Sequence, residues 1–224
     1  MALSSVEIET GPSPEYSIIW LHGLGADGHD FEPIVPELTD PAWPAIRFVF
    51  PHAPVRPITI NGGMAMRAWY DISGMEIAQK QDESGIRASI HLLDELIVQE
   101  NQRGVASKKI FLVGFSQGGA IVLAGGVRSQ QRLAGIAALS TYLPIAEKTD
   151  NEMSAANKDV PIFMAHGSAD PTVSHALGLM SRDYLSKLGY TVEWHSYPMA
   201  HQVCIDEILD LRRWITAQIQ SSKS

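Results

Sequence analysis

The 224-residue chain has a single cysteine, Cys204, no lysine or arginine before Arg47, and no long apolar run. One cysteine cannot close an internal disulfide, so a disulfide scaffold is excluded and a cysteine-ligated metal cluster with it. A lone thiol fits a reducing compartment. The N-terminus lacks the basic start and apolar core of a secretory leader, so the expected location is the cytoplasm. Spanning a bilayer takes about 18–20 consecutive apolar residues, so stable membrane insertion is not expected. The first 46 residues carry eight of the 25 acidic residues and none of the 17 Lys and Arg, so this stretch holds the whole net charge of −8. The remainder balances, and its densest cationic features are the pairs Lys108-Lys109 and Arg212-Arg213. Phosphate neutralisation needs clustered cations, so nucleic acid is not an expected partner.

Against these absences stands an ordinary globular composition, with 45% apolar residues. At this length one domain buries roughly 70% of the surface its unfolded chain exposes, which needs no metal or disulfide staple. Short apolar runs alternate with helical periodicity to the end of the chain. Strands are expected at Tyr16–Leu21, Ile46–Phe50, Lys109–Gly114, Gly135–Ser140, Pro161–His166 and Tyr190–Tyr197, and helices at Ser84–Gln102, Gly118–Arg128, Ser174–Leu188 and Val203–Ile219. Runs such as Ile110-Phe111-Leu112-Val113 are apolar at every position, as in parallel strands covered on both faces. The expected fold is α/β: one domain over 1–224, built on a mostly parallel sheet with helices on both faces. Val6–Glu9, a Gly-Pro-Ser-Pro turn and Tyr16–Leu21 read as an antiparallel hairpin at one edge. Residues 56–75, with Pro57, Gly62-Gly63 and large apolar side chains, read as a long inserted loop, and Thr141–Asp159 as a polar, exposed connection.

Gly114-Phe115-Ser116-Gln117-Gly118 matches G-x-S-x-G, the pattern that places a serine nucleophile on a sharp strand-to-helix turn. The pattern alone is weak, but here an apolar strand enters it and a small-residue helix start, Gly118-Gly119-Ala120, leaves it. A serine hydroxyl needs a base to take its proton and an acid to orient that base. Where this elbow occurs, the acid and then the histidine follow in chain order. His201, just past the last strand and before the last helix, is the expected base; His195 lies inside that strand, and His166 and His175 come too early. Asp170 follows strand Pro161–His166 at the edge where the catalytic groups of a parallel sheet collect, and is the expected acid. Asp159 precedes its strand and belongs to the opposite edge. The expected oxyanion donors are the backbone N–H groups of Gln117, directly after the serine, and Leu24, in the Gly-rich turn His22-Gly23-Leu24-Gly25.

Competing readings lack parts. No H-E-x-x-H, paired cysteine or Asp-rich calcium loop is present, so no metal and no cofactor is expected. Gly23, Gly25 and Gly28 satisfy the bare spacing of a dinucleotide loop, yet Asp27, Asp30 and Glu32 put negative charge where a pyrophosphate would lie. Those acids also predict a negative rim close to Leu24.

Taken together, Leu21-His22-Gly23-Leu24-Gly25-Ala26-Asp27-Gly28, Pro51-His52-Ala53-Pro54, Trp69-Tyr70-Asp71-Ile72, Gly114-Phe115-Ser116-Gln117-Gly118-Gly119, His166-Gly167 with Asp170, and Met199-Ala200-His201 resemble the small carboxylesterases related to acyl-protein thioesterases. The resemblance runs from about residue 16 to 219 and is similar to a bacterial member of the phospholipase/carboxylesterase type. It implies the α/β-hydrolase fold and a Ser116-Asp170-His201 triad with Leu24 and Gln117 as oxyanion donors. Its implied substrate is a small ester or an acyl lipid, with lysophospholipid or acyl-protein thioester as alternatives, and a homodimer is a further implication. It also makes residues 56–75 border the acyl pocket, with Met66, Trp69 and Val173 as substrate contacts. A catalytically silent member that only binds a ligand or protein is the other class of reading.

Overall fold

A computed structural model describes residues 3–74 and 81–222. The strands are β1 (Ser5–Glu9), β2 (Tyr16–Leu21), β3 (Ile46–Pro51), β4 (Val55–Ile58), β5 (Met64–Arg67), β6 (Ile110–Phe115), β7 (Gly135–Leu139), β8 (Ile162–Gly167) and β9 (Val192–Tyr197). The α-helices are α1 (Val35–Leu38), α2 (Glu83–Gln102), α3 (Gln117–Arg128), α4 (Thr149–Glu152), α5 (His175–Lys187) and α6 (Ile205–Ser221). Seven strands form one sheet in the order β1-β3-β2-β6-β7-β8-β9, parallel except for β1. On one face the core gathers Ile86, Leu93 and Ile97 of α2, Ile121 and Leu123 of α3 and Leu185 of α5; on the other, Leu38 of α1 with Leu211, Trp214 and Ile215 of α6. Strands β2, β3, β6, β7 and β8 sit between these layers, which is why their sequences are apolar at successive positions rather than alternating.

The N-terminal hairpin is not formed. β1 lies antiparallel on β3, in register Ser5↔Pro51 to Glu9↔Arg47. β2 has both neighbours taken by β3 and β6 and is buried along its length, so it has no free side to offer. β1, half-exposed and carrying Glu7 and Glu9, suits an edge. Charge fastens it there: Arg47 of β3 donates to Glu9 (2.8 Å) and to the buried Glu100 of α2 (2.9 Å). Arg103 likewise joins Glu100 (2.9 Å) to Glu7 (2.7 Å).

The inserted segment also differs from expectation, because β4 and β5 pair antiparallel within it around a turn with Gly62 and Gly63 at positive φ. The hairpin base is tied down by Ala68 N–H to the Pro54 carbonyl (3.0 Å) and by Arg67 to the Ala53 carbonyl (2.9 Å), while Val55 and Met64 stay 62% and 65% exposed. Met75, the last residue of the expected loop, lies outside the described residues. The connection 141–159 is exposed only in part. Tyr142, Leu143 and Ile145 are buried, and Asn157, also buried, spends its amide on Ser129, Gln131 and Leu133 backbone groups. Its buried polar residues, Thr141 and Asn157 among them, satisfy internal backbone groups, whereas Glu147, Asp150, Asn151, Lys158 and Asp159 are exposed. Among the described residues no helix is long and apolar enough to cross a membrane.

Candidate active site

The turn from β6 into α3 holds Ser116 at φ 54°, ψ −120°, a region L-residues avoid. The strain is held by close packing of glycines. A β-carbon on Gly118 would sit 2.3 Å from the Leu21 carbonyl oxygen, and one on Gly114 would sit 2.5 Å from the Gly118 carbonyl carbon. Ser116 N–H is bonded to the Leu139 carbonyl (2.9 Å), and its own carbonyl accepts from Ala120 N–H (3.0 Å) and Thr141 Oγ1 (2.6 Å). With its backbone fixed by β7 and the loop after it, the serine projects its Oγ above the carboxyl edge of the sheet.

Two further strand ends bring partners to that Oγ. His201, in the loop between β9 and α6, places Nε2 2.8 Å from Ser116 Oγ and Nδ1 2.7 Å from Asp170 Oδ2. A carboxylate only accepts, so Nδ1 carries the imidazole proton and Nε2 is left free to receive the serine proton. The side chain of Asp170, after β8, is fully buried. Its Oδ1 accepts from Thr172 N–H (2.8 Å) and Val173 N–H (2.9 Å), so the carboxylate is held at both oxygens. His166 closes this loop by donating Nε2–H to the Val173 carbonyl (2.9 Å), and burial depresses its pKa, keeping it neutral. The Phe115 ring lies 4.8 Å from the His201 imidazole and limits its tilt. Asp159, on the opposite edge, pairs with Arg132 with its side chain 82% exposed.

Facing the elbow is the turn after β2, where a β-carbon on Gly23 would come 3.5 Å from Ser116 Cβ. Gly25 N–H is bonded to the Arg67 carbonyl (2.9 Å) and Ala26 N–H to that of Gly23 (3.3 Å). Among the described residues, the N–H groups of Leu24 and Gln117 have no acceptor. His22 holds the turn: Ala53 N–H donates to its Nε2 (3.1 Å), so Nδ1 carries the proton and donates to the Gly23 carbonyl (2.7 Å). Burial lowers its pKa and keeps this neutral tautomer. Two amide donors beside a serine–imidazole–carboxylate relay can stabilise a tetrahedral oxyanion while the serine is acylated.

The expected substrate contacts separate. Met66 is half-buried with its sulfur over the turn, 3.8 Å from where a β-carbon on Gly25 would lie, so it borders the site. Trp69 is wholly buried, and Val173 nearly so with both its backbone groups engaged under Asp170. Trp69 packs inward because its indole and amide groups both find buried acceptors. Sequence reading missed the Gln117 side chain, which bonds the Trp69 and Tyr70 backbones, and His166, whose only signal was the His166-Gly167 pair ahead of the acid. Cys204 is half-buried and is the N-cap of α6 rather than part of that helix. Among the described residues no group of three or more His, Cys, Asp or Glu side chains is arranged to hold a metal ion.

Comparison with known proteins agrees in scope with this architecture. The family model described as Phospholipase/Carboxylesterase matches residues 4–219. An acyl-protein thioesterase 1 of Cryptococcus neoformans is 36% identical over 231 residues, covering 96% of this chain and 97% of the relative. One of Neurospora crassa is 39% identical over 217 residues, covering 91% and 86%. Among solved structures, Arabidopsis thaliana SOBER1 superposes with a TM-score of 0.87 at 30% identity, covering 91% of this chain and 99% of that one. These curated relatives are fungal and lend no support to the bacterial origin suggested by the resemblance. The chain has the α/β-hydrolase fold and belongs to the phospholipase/carboxylesterase family of hydrolases.

Proposed function

We propose that this chain hydrolyses carboxylic esters and thioesters through an acyl-enzyme, with Ser116 as nucleophile, His201 as base and acid, and Asp170 as the group that orients His201. The observation that carries this reading is the continuous relay from Ser116 Oγ through His201 to Asp170, at 2.8 and 2.7 Å, on a strained elbow. Ser116 Oγ attacks the acyl carbon as its proton passes to His201 Nε2, and the carbonyl oxygen takes the electron pair of the broken π bond. The N–H groups of Leu24 and Gln117 receive that oxyanion. When the tetrahedral adduct collapses, the bond to the leaving oxygen or sulfur breaks and His201 returns the proton to it. Water, deprotonated by the same His201, then releases the acid and regenerates Ser116. Met66 and Leu24 border the acyl group. No step calls on a cofactor.

The names of the fungal relatives favour the acyl-protein thioesterase alternative over a small-ester carboxylesterase as the physiological role. The same relay serves both, since a thiolate leaves more readily than an alkoxide. Turnover of an S-acylated peptide well above that of a p-nitrophenyl ester of equal chain length supports the thioesterase; the reverse order supports the carboxylesterase. Covalent labelling by a fluorophosphonate, abolished in Ser116→Ala together with ester turnover, tests the chemistry common to both. An unlabelled protein without turnover would instead be a silent binding member of the fold.

A further inference from the structure

Trp69 joins the two sides of the site from a buried position. Its indole Nε1–H donates to the His22 carbonyl (2.9 Å), at the root of the turn that carries Leu24. Its backbone N–H donates to Gln117 Oε1 (2.7 Å), and Gln117 Nε2 returns a bond to the Tyr70 carbonyl (2.7 Å). The Gln117 amide is thus gripped at both ends by residues 69 and 70. The Trp69 carbonyl accepts from Ser89 Oγ of α2, which anchors the tryptophan to the helical layer beneath. The His22 ring lies 5.4 Å from the indole, and its own two nitrogens are fixed.

We propose that Trp69 is a positioning residue that sets the distance between the two oxyanion donors, Leu24 N–H and Gln117 N–H. These donors sit on separate chain segments whose parallel pairing ends at Leu21↔Gly114, before either is reached. Past that point the close approach of Gly118 to the Leu21 and His22 carbonyls sets contact but not orientation. Trp69, with its flat indole hydrogen-bonded to the root of one donor segment and its backbone N–H to the side chain of the other donor residue, supplies a rigid strut. Oxyanion donors act within a narrow range, about 2.7–3.1 Å from the developing charge. A mis-set hole therefore weakens the transition state more than the bound ester, whose carbonyl carries little charge. This inference rests on the hydrolase reading above and adds to it the residue that holds its oxyanion site in shape.

The test uses the full chain. Trp69→Phe keeps an aromatic ring and the backbone N–H but loses the donor to His22. Because a smaller ring can loosen a packed site, the same measurements are made with 3-benzothienylalanine at position 69, which keeps the indole shape without its N–H. For both, kcat on a p-nitrophenyl ester is expected to fall about tenfold while KM stays within about threefold. Inhibition by a trifluoromethyl ketone of matched acyl chain is expected to weaken by a similar factor. In that adduct Ser116 Oγ bonds the carbonyl carbon, its proton passes to His201 and the oxygen carries the charge, so affinity reports on the hole. Unchanged kcat and ketone affinity in the benzothienyl variant overturn the proposal, as does a loss confined to KM or to Tm. Ser116→Ala separates the two levels. If it retains turnover, the hydrolase reading fails; if it is inert while both position-69 variants turn over normally, only the strut fails.

Discussion

Asp170→Asn replaces one oxygen of the buried carboxylate by an NH2 group, and the surroundings decide which one. Oδ1 faces two backbone donors, Thr172 N–H at 2.8 Å and Val173 N–H at 2.9 Å, whereas Oδ2 is hydrogen-bonded to His201 at 2.7 Å, with His166 Nε2 more distant at 3.5 Å. Turning the NH2 toward the loop would set donors against donors and forfeit two hydrogen bonds, at about 1–3 kcal/mol for each buried group left unpaired. The asparagine therefore keeps its oxygen on the loop and points NH2 at His201. Nδ1 must then accept, the ring proton moves to Nε2, and Nε2 presents a hydrogen to Ser116 instead of a lone pair. A wrong tautomer of this kind lowers kcat by about ten-thousandfold, equivalent to about 5.5 kcal/mol in the barrier. Steady-state hydrolysis of a p-nitrophenyl ester at pH 8 should show that loss in kcat with KM little changed and Tm close to wild type. A loss smaller than tenfold in a folded variant would refute the reasoning, because the acid would then not be setting the tautomer.

Gly118→Ala places a β-carbon against the Leu21 and His22 carbonyls, and urea denaturation should show a loss of about 1–3 kcal/mol with ester turnover reduced; an unchanged midpoint would mean the elbow has slack. Burial pushes the Glu207 carboxyl, in the first turn of α6, from an unfolded 4.5 up to about 8, against a partial pull downward from Cys204 N–H. Between those values the unfolded chain has lost a proton that the folded chain keeps, so folding stability falls as pH rises. The slope is about 1.4 kcal/mol per unit at most. Tm measured from pH 4 to 9 should show this decline in wild type and less of it in Glu207→Gln; identical slopes would dismiss the group. At the mouth, Asp27 is held ionised by the N–H of His29 and lies with Asp30 just past Leu24. Anionic esters should turn over about twofold to fivefold more slowly in kcat/KM than matched neutral ones at low salt, and the gap should close as salt is added. Equal rates at low salt would remove this role for the acidic rim.

The elements most legible in the sequence are those whose environment is uniform. β6, apolar at four successive positions, can only be a strand covered on both faces, and the glycines after Ser116 announce a turn too tight for side chains. From these, chain order alone places Asp170 and His201 at the carboxyl edge beside Ser116, and the structure has them within hydrogen-bonding distance. β1 was misplaced because a Pro-rich turn specifies reversal, not partner. Which strand it joins depends on β2 having already spent both its sides, a property of the finished sheet. The burial of Trp69 and Val173 is hidden in the sequence for a related reason. A large apolar residue near a site looks the same in sequence whether it faces the ligand or braces the wall behind it, and only its hydrogen bonds to His22, Gln117, Asp170 and His166 tell them apart. The buried polar residues of 141–159 were invisible as core because their partners lie in other segments.

The placement of β1 bears on self-association. Beneath it runs Ile46-Arg47-Phe48-Val49-Phe50-Pro51, an aromatic-rich strand buried along its length and carrying one charge. Exposed at a sheet edge, such a strand is a template on which another chain can add its own. β1 covers that edge with a short strand of alternating glutamates, and the Arg47 and Arg103 ion pairs keep the cover closed. The acidity of the N-terminal segment, whatever it does for substrates at the far edge of the sheet, here serves as a guard against fibril-like pairing. Acid strong enough to protonate Glu7, whose carboxyl the Arg103 guanidinium holds below the usual range, undoes that pair and loosens the cover.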